Sequence, residues 1–212
     1  MKKIKVLLGA LFAAFLVFGM VASASALTYT IDTEFDYGAT VNFGTITVTD
    51  DGDKLKFDVS LNTAQLGPNA DLAYVYFNLP LGLTNLAISG VDISSYSYWS
   101  AAPDKYKADG DGYYNAIADF GTGANPTIQS TTFYVNADQA LDENDVKILS
   151  TGGAKGSFYM AIHAQSTTWA PPGTVSAGSE WAGASGYAVP EPMTLLLLGL
   201  GLVGLAGLRR KF

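Results

Sequence analysis

The sequence contains no cysteine and only one histidine, His163, among its 212 residues. Without cysteine the chain cannot form a disulfide framework, a Cys-ligated zinc site or a thiol nucleophile. A single histidine also excludes a metal centre built from several imidazoles. These absences remove several common enzyme classes before any motif is considered.

Basic residues are scarce in the middle of the chain. Residues 27–189 hold six Lys and Arg against 18 Asp and Glu, so this body carries a net charge of −12, while the whole chain carries −7. A body this acidic, without a basic stripe, repels phosphate backbones, so we predict no nucleic-acid partner. The remaining bases stand in two terminal groups: Lys2, Lys3 and Lys5, and Arg209, Arg210 and Lys211.

The N-terminal group opens a secretory signal peptide, which we place at residues 1–26. An apolar stretch follows the lysines from Val6 to about Val21, and the segment ends on small residues at Ala24 and Ala26. This arrangement is typical of an A-x-A cleavage site for signal peptidase. We expect export, with Leu27 as the first mature residue. The alternative is a retained membrane anchor.

The C-terminal group closes a second apolar segment. Val189, Pro190, Glu191 and Pro192 precede sixteen apolar residues, 193–208, which end at Arg209, Arg210 and Lys211. As a helix these sixteen residues would rise about 24 Å, slightly less than the roughly 30 Å hydrocarbon core. We predict a transmembrane helix over 193–208, with the basic end on the cytoplasmic side of the inner membrane.

This tail, residues 190–212 with the preceding Val189, resembles the PEP-CTERM sorting signal of Gram-negative bacteria, which is also catalogued as the ice-binding-protein C-terminal motif. The resemblance implies an exosortase as processing partner and a host that makes extracellular polysaccharide. It further implies transient anchoring in the inner membrane, followed by placement at the cell surface or in the extracellular matrix. A plain membrane anchor is the alternative interpretation of the same residues.

The body, residues 27–169, shows the alternation of polar and apolar residues that is typical of strands. Residues 54–61 alternate without a fault, residues 41–48 alternate with a change of phase at Gly44, and an Asp-Gly turn lies between them. Further strands are predicted at 72–79, 84–89, 113–120, 130–135 and 157–165, and a short helix at about 137–145. Many short strands with dense turns indicate an all-β fold, an antiparallel β-sandwich. The body loosely resembles jelly-roll, cohesin or carbohydrate-binding-module sandwiches.

The segment 170–189 is rich in Pro, Gly, Ser and Ala and is predicted to be a linker, within which Trp181 is the residue expected to fold back on the body.

His163 has the opposite parity to the apolar residues of its strand, so we expect a structural histidine on the surface. No pair among the many carboxylates stands out as a glycosidase couple.

The stretch from residue 96 to residue 111 contains candidate binding residues of two kinds. Acidic turns can supply oxygen ligands to Ca²⁺, and the candidate residues for this cofactor are Asp104, Asp109 and Asp111. The competing explanation is that Asp and Gly occur together because both favour turns. In the same region aromatic rings could stack on sugars, and the candidates are Tyr96, Tyr98, Trp99 and Tyr106. The alternative is that these rings cover one end of the core.

Together these features predict an exported, non-enzymatic protein of the cell surface or extracellular matrix that contacts extracellular polysaccharide. A carbohydrate-active hydrolase with an Asp/Glu pair is the alternative. A binder of ice or mineral surfaces is a weaker third, because the sequence shows no regular threonine array.

Overall fold

The structure is a computed structural model that describes residues 26–189, except 103–104, 110–111, 122, 124–126 and 177. Within this part of the chain the strands are β1 (Ala26–Glu34), β2 (Thr40–Asp50), β3 (Leu55–Leu61), β4 (Asp71–Phe77), β5 (Ala87–Ser89), β6 (Ser95–Tyr98), β7 (Tyr106–Lys107), β8 (Tyr113–Tyr114), β9 (Ala116–Asp119), β10 (Ser130–Asn136), β11 (Met160–Gln165), β12 (Ser179–Ala184) and β13 (Tyr187–Ala188). The one helix among these residues, α1 (Thr63–Leu66), is a single turn.

One antiparallel sheet organises the fold. Its strands lie in the order β5-β10-β3-β2-β1-β12-β11-β4-β9-β6, with β13 pairing to β1, while β7 and β8 form a separate hairpin. The prediction of an all-β antiparallel fold is therefore confirmed. The two separate sheets of a sandwich are not seen, because the strands form one continuous ladder.

This sheet curls until its two halves face each other across a core. Phe57 on β3 lies 4.9 Å from Phe77 on β4, although four strands separate β3 from β4 in the sheet order. Phe133 on β10 stacks on Phe57 at 4.6 Å and meets Phe120, which follows β9, at 5.8 Å. Strands of both halves contribute buried side chains to this core, so the curled sheet has an almost barrel-like form.

The two edge strands meet where the curled sheet closes. Residues 90–94 are the whole connection between β5, at one edge, and β6, at the other. The Tyr96 hydroxyl donates to the Leu86 carbonyl oxygen at 3.4 Å, which joins the two edges directly. This short connection protects both edges, because each lies beside the other.

The β2–β3 hairpin follows its sequence pattern closely. The turn holds Gly52 at φ +80°, and Asp50 accepts a hydrogen bond from the Gly52 backbone N–H at 2.9 Å. The predicted change of phase near Gly44 is also present, since the β1–β2 register shifts from Ile31↔Gly44 to Thr33↔Thr40. A Cβ on Gly44 would lie 2.4 Å from the Ser60 carbonyl oxygen, so only glycine fits there.

Two predictions for the body are wrong. The segment expected as a linker contributes β12, which pairs with β1 and β11 near the middle of the sheet. Its small residues serve close packing rather than flexibility, because a Cβ on Gly183 would lie 2.7 Å from the Phe158 ring. Residues 137–145 form turns instead of a helix, since Asp142 and Asp145 accept hydrogen bonds from nearby backbone N–H groups.

A second, smaller apolar cluster lies on the outer face of β4, β11 and β12. We call it the outer cluster; its buried residues are Phe35, Tyr76, Ala108, Tyr114, Phe158 and Ala161. Tyr74, Tyr106, Ile117 and Trp181 pack against it and are partly buried. Of the four predicted sugar-stacking residues, Tyr106 is thus used to cover this face of the sheet.

Candidate functional site

The structure separates the four predicted sugar-stacking residues into two groups. Tyr96 and Trp99 are each 42% exposed. Tyr98 is partly buried against the main core, its hydroxyl donates to the Pro80 carbonyl oxygen, and burial raises its pKa. Tyr106 packs against the outer cluster. Two rings, Tyr96 and Trp99, therefore keep enough open surface to meet a ligand.

The backbone around Trp99 is held by a buried asparagine. The Trp99 N–H donates to the Asn115 carbonyl oxygen at 2.7 Å, directly beyond the end of β6. The Asn115 side chain accepts from the Leu79 N–H at 2.9 Å and donates to the Leu79 carbonyl oxygen at 2.8 Å. Asn115 is fully buried, so this bidentate link fixes Trp99 against the 78–80 loop. Sequence reasoning missed it, since one asparagine in a strand-rich region gives no signal.

The immediate surroundings of Trp99 are partly apolar and partly basic. The Lys105 ammonium lies 4.8 Å from the centroid of the Trp99 ring, within the range of a cation–π contact. Leu81 is 52% exposed on the neighbouring loop, and that loop is tied to the Trp99 segment because the Gly82 N–H donates to the Ser100 carbonyl oxygen at 3.0 Å. Trp99 and Leu81 thus belong to a rim that is held by backbone hydrogen bonds.

A pair of buried carboxyl groups, which the sequence did not single out, lies near the paired ends of β1 and β12. Glu34 is 0% exposed and accepts hydrogen bonds from the backbone N–H groups of Asp36 and Tyr37. Glu180 is 6% exposed; burial, with a smaller contribution from Glu34 and Asp36, raises its pKa to about 7. Register brings them together, because Glu34 pairs with Ala182, two residues beyond Glu180 on the same face of β12.

The comparison with known families gives a match at the C-terminal end of the chain. Residues 188–211 match the family model described as PEP-CTERM protein-sorting motif. The chain carries a PEP-CTERM sorting motif. This PEP-CTERM protein is exported and sorted by an exosortase, as the motif indicates. Neither the curated proteins nor the solved structures gave a match to the chain.

The residues of the sorting signal itself lie beyond the described part of this PEP-CTERM protein, apart from Val189. Pro190, Glu191, Pro192, Arg209, Arg210 and Lys211 fall outside the described residues, as does the predicted helix 193–208. Residues 26–189 contain no helix long and apolar enough to cross a bilayer. At the other end Ala24 is outside the described residues, whereas Ala26 begins β1 and pairs with Thr49.

The described acidic side chains of the turn at 142–145 bond to N–H groups of that same turn. Asp109 is exposed at φ +35°, and Asp104 and Asp111 fall outside the described residues. In the separate turn at 142–145, Asp142 accepts from the Asn144 N–H at 2.8 Å, and Asp145 accepts from the Asp142 N–H at 2.9 Å. Among the described residues no three acidic or histidine side chains are grouped as a metal ion requires.

His163 lies on the face predicted for it but is not a surface residue. It is 8% exposed and stacks between Trp181, at 4.1 Å, and Tyr74, at 5.8 Å, which pair with it across the sheet. Its Nδ1 atom is buried and has no hydrogen-bond partner among the described residues. Burial lowers the pKa of His163 to about 4, so the ring is neutral at ordinary pH. The expectation of a surface histidine is wrong because strand parity cannot foresee flanking rings.

Proposed function

We propose that this exported PEP-CTERM protein is a non-enzymatic component of the cell surface or extracellular matrix, and that it contacts extracellular polysaccharide through Tyr96 and Trp99. The observation that carries the proposal is that both rings are 42% exposed, while hydrogen bonds hold the Trp99 segment in place. Aromatic side chains offer large contact area at low cost in conformational entropy, and a ring held by its backbone needs little ordering on binding. In this proposal the tail anchors the protein in the inner membrane only until processing.

The buried carboxyl groups favour a binding protein over a hydrolase. A glycosidase needs two carboxyl groups about 5 to 10 Å apart with a sugar between them. Glu34 is 0% and Glu180 is 6% exposed, so a sugar ring cannot reach both of them without opening the sheet. Two backbone hydrogen bonds also engage the Glu34 carboxylate within its own hairpin. These features support a structural role for the pair.

The test is to measure the affinity of the secreted protein for purified extracellular polysaccharide from its own host. We expect the double variant Tyr96→Ala, Trp99→Ala to bind about tenfold more weakly or worse, a loss of roughly 1.4 kcal/mol or more. Tyr37→Ala is the matched control, because Tyr37 is 61% exposed on the β1–β2 turn and should not matter. Unchanged affinity in the double variant, or cleavage of the polymer, would contradict the proposal.

A further inference from the structure

Strand pairing assembles rows of hydroxyl groups on the outer face of β1, β2, β3 and β10. On these strands most inward positions are buried and apolar, with the buried Thr131 and Glu34 as exceptions, whereas the outward positions are mostly Thr and Ser. Two adjacent rows run across the four strands: Thr28, Thr47, Asp58 and Thr132, then Thr30, Thr45, Ser60 and Ser130. Neighbouring strands are about 4.8 Å apart and the rows about 6.8 Å apart. The face therefore presents closely spaced polar groups.

A groove of about 460 Å³ lies where these rows end at β10. Asp58, Ser130 and Thr132 line it from the rows, and Val91 and Asp92 line it from the connection between β5 and β6. That connection passes close to β10, since a Cβ on Gly90 would lie 2.9 Å from the Thr132 carbonyl oxygen. The groove is a shallow depression that is largely open to solvent, so a ligand would lie along it rather than be enclosed by it.

The two threonine hydroxyls of the groove are fixed by hydrogen bonds to its two carboxylates. The Thr131 hydroxyl donates to Asp92 at 2.6 Å, and the Thr132 hydroxyl donates to Asp58 at 2.6 Å. The Lys56 ammonium pairs with Asp58 at 2.8 Å. Each carboxylate has about four lone-pair positions, so acceptors remain available on Asp58 and Asp92 after these bonds are formed. The groove consequently presents acceptors to a ligand that brings donors.

Charge narrows the class of ligand further. Lys56 offsets Asp58, but no basic residue is among those that line the groove beside Asp92. The body as a whole carries −12. An anionic ligand, such as a uronate or a sulfated sugar, would be repelled here. Val91, 96% exposed at the rim, adds an apolar surface against which the C–H face of a sugar can pack.

We propose that this groove binds an uncharged glycan chain, whose hydroxyl groups donate to Asp58 and to Asp92. The inference rests on the proposed function and names its ligand class. The groove is linked to the Tyr96 site along the chain: residues 90–94 lead directly into β6, and the Tyr96 hydroxyl bonds to Leu86 just before β5.

The test uses the secreted protein with two polymers, dextran as the neutral glucan and alginate as the uronate polymer. We expect the wild type to bind dextran and to discriminate against alginate by at least about tenfold. Asp92→Asn keeps an acceptor for Thr131 and so should fold, yet it should weaken dextran binding about tenfold. Ser130→Trp fills the groove from an exposed position and should weaken binding at least as much. Asp53→Asn, an equal change of charge at an exposed position in the β2–β3 turn, is the matched control.

Melting temperatures of all variants verify that each is folded. Dextran affinity that is unchanged in both Asp92→Asn and Ser130→Trp would overturn the groove site, even if Tyr96 and Trp99 prove essential and the proposed function stands. Preference for alginate would overturn the assignment of an uncharged ligand. A wild type that binds neither these polymers nor its host polysaccharide would overturn the proposed function and this inference with it.

Discussion

The pKa of Glu180 is raised and that of His163 is lowered, so the two groups change the free energy of unfolding with pH in opposite directions. We expect each effect to mask the other in the wild type. The pKa of Glu180 is raised from 4.5 to about 7, so the folded protein keeps a proton that the unfolded chain releases within that interval. Stability is therefore lost as the pH rises from 4.5 to 7. The pKa of His163 is lowered from 6.5 to about 4, so the unfolded chain binds the extra proton, and stability is lost as the pH falls from 6.5 to 4.

Across each interval the free energy of unfolding changes by up to about 3 kcal/mol, at roughly 1.4 kcal/mol per pH unit. Between pH 4.5 and 6.5 the two effects have opposite sign and similar size, so their sum should be nearly level. Glu180→Gln removes the first effect, and its free energy of unfolding should rise with pH relative to the wild type. His163→Phe keeps a ring between Trp181 and Tyr74 but cannot titrate, so its free energy of unfolding should fall with pH relative to the wild type.

Urea unfolding at pH 4, 5.5, 7 and 8, followed by circular dichroism, measures these free energies. Ile46→Val is the control, because it trims a fully buried apolar side chain and removes no titratable group. Its pH profile should parallel that of the wild type. The reasoning is refuted if Glu180→Gln and His163→Phe also run parallel to the wild type, since neither group would then titrate differently in the folded state.

Three further predictions concern packing and sorting. Phe133→Ala should lower the free energy of unfolding by about 3–5 kcal/mol, because the Phe133 ring is fully buried between the two halves of the sheet. Val91 is exposed, so Val91→Ala should change that free energy by less than about 0.5 kcal/mol, and urea unfolding measures both variants. Gly44→Ala should cost about 1–3 kcal/mol, since its Cβ would meet the Ser60 carbonyl oxygen, and an unchanged melting temperature would contradict this. Glu191→Ala in the sorting motif should leave the C-terminal tail uncleaved, which intact-mass measurement of the cell-associated protein detects.

The sequence by itself determined the features that depend on local pattern. Alternation placed Phe57 inward and Asp58 outward on β3, and the Asp-Gly turn defined its hairpin with β2. The sorting signal was also readable, because a short motif, an apolar run and a basic end are contiguous in the chain. Such features need no knowledge of which distant strands are neighbours.

Only the tertiary structure decided which residues meet across the sheet. Alternation says which face a side chain takes but not which strand lies beside it, so it could not place His163 between two rings or Glu34 beside Glu180. For the same reason the Gly- and Ala-rich segment of β12 was mistaken for a linker, although its small residues are what allow close packing.

For the candidate binding surfaces, too, the sequence indicates the types of residue and the tertiary structure decides which of them are neighbours. The linear sequence shows no regular threonine array, yet register places threonines such as Thr28 and Thr47 side by side, with their hydroxyl oxygens 3.2 Å apart. The groove beside Asp92 exists because the curled sheet brings its two edges together at residues 90–94. Sequence supplied the types of residue and their faces, and the long-range pairing of strands supplied their neighbours.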